Sequence, residues 1–106
     1  MYSDADAAEL YDILNTWGPA DEFYLSLVLA APTVLDVGCG TGTLLGRARN
    51  GGHGGRLAGI DPDDGMLTRA RRRDDIEWHA GRAAQMSFDR EFALVTMANN
   101  AFQFLA

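Results

Sequence analysis

Residues 34–42 of the chain read Val34-Leu35-Asp36-Val37-Gly38-Cys39-Gly40-Thr41-Gly42. The first half is apolar and β-branched, which is typical of a strand buried in a parallel sheet. The three alternating glycines then let the backbone approach a ligand closely, because side chains would block that approach. The stretch therefore predicts a buried strand that enters a glycine loop at a ligand site.

Strand and helix patterns alternate downstream of this stretch. They predict, in order, a helix over 43–50, a strand over 56–60, a helix from Asp61 to Arg73, an edge strand over 76–79 and a buried strand over 92–98. Asp61 is predicted to cap its helix, with Pro62 at the first helical position. Strands separated by helices imply right-handed crossovers and a parallel sheet, so the predicted class is three-layered α/β.

Residues 1–32 are predicted to be N-terminal helices that precede the first strand. A helix over about 4–16 is followed by a second helix, which Asp21 is expected to cap and Pro32 to end. Because no repeat or linker divides the sequence, residues 1–106 are predicted to form a single, partial domain.

Composition excludes several classes of protein. The chain has 106 residues, of which 47% are hydrophobic, and its 9 Lys and Arg against 15 Asp and Glu give a formal net charge of −6. A negative field opposes binding to a phosphate backbone, and no stretch reaches the roughly 18 apolar residues of a membrane span. The acidic N-terminus is unlike a signal peptide. We therefore expect a cytoplasmic protein that binds neither nucleic acid nor membrane.

Two aspartates narrow the class of ligand. The dinucleotide fingerprint Gly-x-Gly-x-x-Gly would have glycine where Thr43 stands. Asp36 would place a carboxylate beside the loop, which favours a cationic ligand. Asp61 ends the next strand, where an acid can accept hydrogen bonds from both ribose hydroxyls. The expected ligand is a nucleoside with positive charge and no phosphate, which disfavours a nicotinamide-dependent oxidoreductase.

At these residues the sequence resembles the class I S-adenosylmethionine-dependent methyltransferases. The resemblance is carried by four blocks, which are Val34–Gly42, Gly59–Pro62 with Met66-Leu67, Trp78–Ala83 and Phe92–Met97. It implies a Rossmann-like fold with strand order 3-2-1-4, S-adenosylmethionine as cofactor, and methyl transfer to a small-molecule acceptor. The alternative is a module that binds the cofactor without turnover, since only the N-terminal half of the family fold is expected in this chain.

The resemblance also implies a cofactor site at the ends of the strands, covered by one aromatic side chain from the N-terminal helices. Its residues are expected to be Asp36, Gly38, Cys39 and Gly40 at the methionine part, Asp61 at the ribose, Pro62 and Met66 at the adenine, Arg82 and Ala83 at the polar edge of the adenine, Met97, Ala98 and Asn99 beside the sulfonium, and Tyr11 or Trp17 as the cover. Arg82 stands where the family often has an acid. No catalytic base or metal ligand is implied.

The sequence also predicts which features lie at the surface of the protein. The fourth strand is expected to be an exposed apolar edge, because the strands that follow it in the family are missing. Such an edge is a template for association, so the sequence predicts either pairing of two chains through this strand or a chain from which the other half has been removed. His53 and His79 are expected at the surface.

Overall fold

A computed structural model describes residues 6–7, 17–82, 91–97 and 102–105 of the chain. In these ranges the elements are α1 (Pro19–Ala30), β1 (Thr33–Val37), α2 (Thr43–Asn50), β2 (Arg56–Asp61), α3 (Asp64–Ala70), β3 (Glu77–Ala80), β4 (Leu94–Met97) and β5 (Phe102–Leu105). Asp6 and Ala7 are also helical, while the rest of the helix predicted over 4–16 lies outside the described residues. The predicted alternation of strands and helices is confirmed from β1 to β3.

The strands form one sheet in the order β3-β2-β1-β4-β5. The first four are mutually parallel, which confirms the predicted order 3-2-1-4. β5 runs antiparallel beside β4, with Phe102 opposite Met97. The prediction that β4 is an exposed edge is therefore wrong, because backbone pairing with β5 occupies that edge. The reason for expecting two chains to pair there falls away with it.

The larger apolar cluster joins α1 and α2 to one face of the sheet. Its buried members are Tyr24, Val28, Val34, Leu44, Leu45, Ala48, Leu57, Ile76 and Leu94. A second cluster is formed by Leu35, Ala58, Ile60 and Phe92, with Val37 and Val95 packed against it. Neighbouring residues of β1 and of β2 thus fall into different clusters, as the alternation of side chains along a strand requires.

The start of α1 differs from the prediction. Gly18 is the N-cap and Pro19 the first helical residue, while Asp21 lies three residues into the motif. Its Oδ2 accepts a hydrogen bond from the Gly18 backbone N–H at 2.8 Å. Asp21 therefore occupies the N3 position of a capping box, where its side chain accepts from the backbone N–H of the N-cap residue, and it is not the cap itself.

His53 is buried, contrary to the surface position expected for it, with 8% of its area exposed. Its Nε2 lies 2.6 Å from the Ala31 carbonyl oxygen, and its Nδ1 accepts the Gly55 backbone N–H at 3.1 Å. Because Nδ1 accepts, the proton stands on Nε2, which donates to Ala31. A β-carbon on Gly55 would collide with the Pro32 carbonyl oxygen. The glycine-rich turn thus packs against the residues that follow α1 and connects them to the start of β2.

Candidate functional site

The carboxyl ends of the four parallel strands meet at one edge of the sheet. The chain proceeds from β1 to β2 and β3 on one side, whereas β4 lies on the other side of β1. Open α/β sheets bind ligands at this kind of reversal, outside the carboxyl ends of the strands. The glycine loop of residues 38–42 follows β1 directly and therefore stands at this point of reversal.

Left-handed backbone gives the loop its shape. Gly38, Gly40 and Gly42 have φ angles of 70°, 59° and 82°, which side chains rarely adopt. Gly42 is also the N-cap of α2. The alternating glycines of the sequence are thus required by backbone conformation, so that the strand can turn sharply into the helix.

Most backbone N–H groups of the loop already have acceptors within the protein. Gly38 and Cys39 donate to the Ile60 carbonyl at 2.8 and 3.1 Å, and Gly42 donates to the Cys39 carbonyl at 3.0 Å. Gly40 donates to Asp61 Oδ2 at 2.8 Å. A loop that cradles a phosphate turns such groups toward the anion. Here they tie the loop to β2, which opposes a phosphate ligand.

Asp61 is buried, with 8% of its area exposed, and it connects the glycine loop, the start of α3 and the residue after β3. Its Oδ2 accepts from Gly40, its Oδ1 accepts the Asp63 N–H at 2.8 Å, and its own carbonyl accepts the Gly81 N–H at 3.0 Å. A carboxylate has about four acceptor positions. Each oxygen of Asp61 therefore retains capacity for a further donor, such as a ribose hydroxyl.

Asp61 is not the helix cap that the sequence predicts. The N-cap of α3 is Asp63, whose carboxylate accepts from the backbone N–H groups of Gly65 and Met66 at 2.9 and 3.1 Å. Pro62 precedes the helix and is exposed. The reason is the hydrogen bond to Gly40, which turns the Asp61 carboxylate toward the loop and moves the start of the helix two residues along the chain.

Asp36 is held from the neighbouring strand. Its Oδ1 accepts a hydrogen bond from Thr96 Oγ1 at 2.8 Å, with Asp36 3% exposed and Thr96 fully buried. The two residues are direct partners in the pairing of β1 with β4. Sequence reasoning missed Thr96. Its signal was a single hydroxyl in a strand otherwise predicted to be apolar.

The two carboxylates create a negative field that acts on Cys39. Burial raises the pKa of the Cys39 thiol well above its usual range, and the charges of Asp36 and Asp61 raise it further. The thiol therefore stays neutral and is a poor nucleophile. The same field favours a cation in the adjacent space.

The other predicted site residues are placed as follows. Pro62 and Met66 lie before and within α3, Arg82 is exposed just beyond β3, and Met97 ends β4 and is partly buried. Pro62, Arg82 and Met97 thus stand at the carboxyl ends of β2, β3 and β4, as the glycine loop does at that of β1, and Met66 lies in the first turn of α3. Tyr11, Ala83, Ala98 and Asn99 lie outside the described residues.

Trp17 packs against α2. The Arg47 guanidinium carbon stands 4.1 Å from the centroid of its ring, and its Nε1 donates a hydrogen bond to Glu22. A cation above an indole face attracts the ring quadrupole. The indole is thus held by α1 and α2, and its role as a cover for the cofactor stays a prediction.

In ranges 6–7, 17–82, 91–97 and 102–105, no three or more His, Cys, Asp or Glu side chains are grouped so as to hold a metal ion. The helices described there are all too short or too polar to cross a membrane.

A family model described as a methyltransferase domain matches residues 34–106. The chain belongs to this methyltransferase-domain family. The match begins at Val34, the first residue of the stretch that carried the resemblance. It confirms the family predicted from the sequence.

Known proteins agree with this assignment. The Cypemycin N-terminal methyltransferase of a Streptomyces species is 34% identical over 114 residues, covering 97% of this chain and 44% of that protein. DesVI from Streptomyces venezuelae has a TM-score of 0.62 at 29% identity, covering 90% of this chain and 42% of its own. An RNA methyltransferase from Salinibacter ruber, crystallised with S-adenosyl-L-homocysteine, has a TM-score of 0.65 at 26% identity, covering 79% and 60%. The chain therefore spans less than half the length of the curated relative it matches.

Proposed function

We propose that this chain binds S-adenosylmethionine at the carboxyl ends of β1 and β2 and is the cofactor-binding part of a methyltransferase. The observation that carries the proposal is the buried Asp61 carboxylate, whose two oxygens anchor the glycine loop and the start of α3. Family membership and a relative crystallised with S-adenosyl-L-homocysteine support the same ligand.

The chemistry of the edge fits this cofactor. Its sulfonium and ammonium groups are cations, and the loop stands between two buried carboxylates, Asp36 and Asp61. Its ribose hydroxyls are donors that the remaining acceptor positions of Asp61 can bind. When bound, it supplies a methyl group on a positively charged sulfur, which the lone pair of an acceptor removes by in-line displacement. For this step the protein has mainly to align the two reactants.

For the acceptor we propose a small molecule that presents an amine, by analogy with the Cypemycin N-terminal methyltransferase. An RNA acceptor is disfavoured by the formal net charge of −6, although one structural relative is an RNA methyltransferase. A cytoplasmic location belongs to the proposal as well, because the single cysteine of the sequence is a buried free thiol.

The test is titration calorimetry of S-adenosyl-L-homocysteine into the wild-type chain and two variants. Asp61→Asn removes one acceptor oxygen and the charge, so binding should weaken at least about tenfold. Asp64→Asn makes the same charge change at an exposed position near the site and should bind as the wild type does. Absence of saturable binding to the wild type, or equal affinity for Asp61→Asn, would overturn the proposal.

A second candidate is a cofactor-binding module without turnover, because both buried carboxylates of the site, Asp36 and Asp61, are assigned to the cofactor in this proposal. Incubation with S-adenosylmethionine and a set of primary amines separates the two. Amine-dependent release of S-adenosyl-L-homocysteine would support the enzyme. Tight binding with no release above the amine-free rate would support the module.

A further inference from the structure

Four residues form one row across the parallel sheet, directly beneath the glycine loop. Asp36 of β1 pairs with Thr96 on one side and with Gly59 on the other, and Gly59 in turn pairs with Trp78 of β3. Residues that are paired in register point to the same face of a sheet. Asp36 and Trp78 therefore stand on one face, separated only by a residue without a side chain.

The Trp78 indole fills the space that Gly59 leaves. A β-carbon on Gly59 would stand 2.8 Å from Trp78 Cζ3 and 2.8 Å from Cys39 Sγ. A β-carbon on Gly42 would collide with Trp78 Cη2 and stand 3.0 Å from Cζ3. The six-membered ring of the indole thus crosses β2 and reaches the backbone at the far end of the glycine loop.

The other side of the indole is fixed by a hydrogen bond. Trp78 Nε1 donates to the Arg73 carbonyl oxygen at 3.0 Å, in the turn that follows α3. α3 ends at Ala70, short of the predicted Arg73, because the N–H groups of Arg72 and Arg73 donate to carbonyls only three residues back and so form a turn. The ring is therefore held at its nitrogen by one segment and inserted beneath Gly42 at its outer edge.

An ordinary core residue would not need this reach. Trp78 packs against the larger apolar cluster, and a leucine there could fill much of the same volume. Only the outer atoms of the indole contact Gly42. This residue has a left-handed φ of 82°, ends the glycine loop and is the N-cap of α2. Loss of those atoms would leave a gap beneath this residue.

We propose that Trp78 is a positioning residue of the cofactor site: its indole supports Gly42 and so keeps the loop in the shape that places the Gly40 N–H on Asp61. The consequence for cofactor affinity rests on the proposed function. Support of the loop itself is a property of the ligand-free chain, and it can be measured separately.

The first test is hydrogen exchange by NMR on the ligand-free chain. The Gly40 and Gly42 amides are bonded to Asp61 and to the Cys39 carbonyl. In Trp78→Phe, which keeps an aromatic ring but lacks the outer atoms, we expect these two amides to exchange about tenfold faster relative to the amides of β1. Trp78→Leu, which removes the whole indole and leaves Gly59 and Cys39 unchanged, should act in the same direction. Unchanged exchange at both amides in both variants would refute the proposal.

The second test is the affinity for S-adenosyl-L-homocysteine, measured at a temperature where circular dichroism shows every variant folded. Trp78→Phe should weaken binding about tenfold. Val28→Ala truncates the same apolar cluster on α1, away from the loop, and should lower the melting temperature without changing the affinity. Equal affinity for Trp78→Phe and wild type would overturn the cofactor role. If the wild type does not bind, the proposed function fails, while the exchange experiment still decides whether Trp78 supports the loop.

Discussion

Replacing Thr96 by valine should destabilise the chain, although the two side chains have almost the same shape. The substitution removes the hydroxyl that donates to Asp36 Oδ1 at 2.8 Å. Asp36 is 3% exposed and Thr96 is fully buried. Water is therefore poorly placed to replace the lost donor, and the carboxylate loses one of its hydrogen bonds.

The magnitude follows from two opposing effects. A hydrogen bond to a charged group contributes about 1.5–3 kcal/mol to stability. Valine recovers part of this, since burying a methyl in place of a hydroxyl is favourable by about 0.8 kcal/mol. The free energy of unfolding should thus fall by about 1–2 kcal/mol. Affinity for S-adenosyl-L-homocysteine should fall as well, because the Thr96 hydroxyl holds Asp36 beside the loop.

Urea denaturation, followed by circular dichroism, measures the change in stability. Thr68→Val is the matched control, since Thr68 is exposed and its hydroxyl donates to the Asp64 carbonyl, where water can take its place. The control should change stability by less than about 0.5 kcal/mol. If Thr96→Val were as stable as the control, the bond to Asp36 would make no net contribution, and our account of how β4 holds this carboxylate would be refuted.

Three further substitutions test other parts of the fold. Hydrogen bonds from Arg56, opposed by burial and aided by His79, lower the pKa of Glu77 from 4.5 to about 2. Ionised Glu77 therefore adds stability that is lost as the pH falls from 4.5 to 2. In Glu77→Gln the free energy of unfolding should vary with pH over this range by about 1 kcal/mol less than in the wild type, a small value because the side chain is 39% exposed. An unaltered pH dependence would contradict this. His53→Ala removes two part-buried hydrogen bonds, to the Ala31 carbonyl and from the Gly55 N–H. Since each contributes about 0.5–1.5 kcal/mol, the free energy of unfolding should fall by about 1–3 kcal/mol in urea titrations; a wild-type midpoint would show that these two bonds make no net contribution. Asp63→Ala removes the cap of α3 and should lower the free energy of unfolding by about 1 kcal/mol, as measured by thermal melting. Asp63→Asn keeps a capping side chain and should be nearly as stable as the wild type.

The central part of the fold could be predicted because its signals are local. The apolar run before the glycines gave β1, and the helix predicted over 43–50 matches α2, Thr43–Asn50. Gly42 begins that helix with a left-handed residue, and the sequence marks it with a glycine. Alternating strands and helices with right-handed crossovers predicted the parallel sheet, whereas the strand order was implied by the resemblance to the methyltransferase family.

The errors arise where distant residues compete for the same group. Asp61 has the local features of a helix cap, but its carboxylate accepts a hydrogen bond from the N–H of Gly40, which is 21 residues away. His53 lies in a glycine-rich turn that suggests the surface, but the Ala31 carbonyl, 22 residues away, binds its ring. No window of neighbouring residues contains these two interactions. Pairing of β5 with β4 is local by contrast, since Met97 and Phe102 are five residues apart, and the prediction missed it because it assigned no strand to residues 102–105.

The direction of the hydrogen bonds at the loop explains how a glycine motif close to that of dinucleotide-binding proteins can serve a ligand of opposite charge. When loop N–H groups point outward, they bind phosphate. In this chain Gly38, Cys39 and Gly40 donate instead to Ile60 and Asp61 at the end of β2. What the protein adds at the same edge is two carboxylates, which accept hydrogen bonds and attract cations. Under the proposed function, the aspartates beside the glycines therefore determine the class of ligand, whereas the glycines determine only how closely a ligand can approach the backbone.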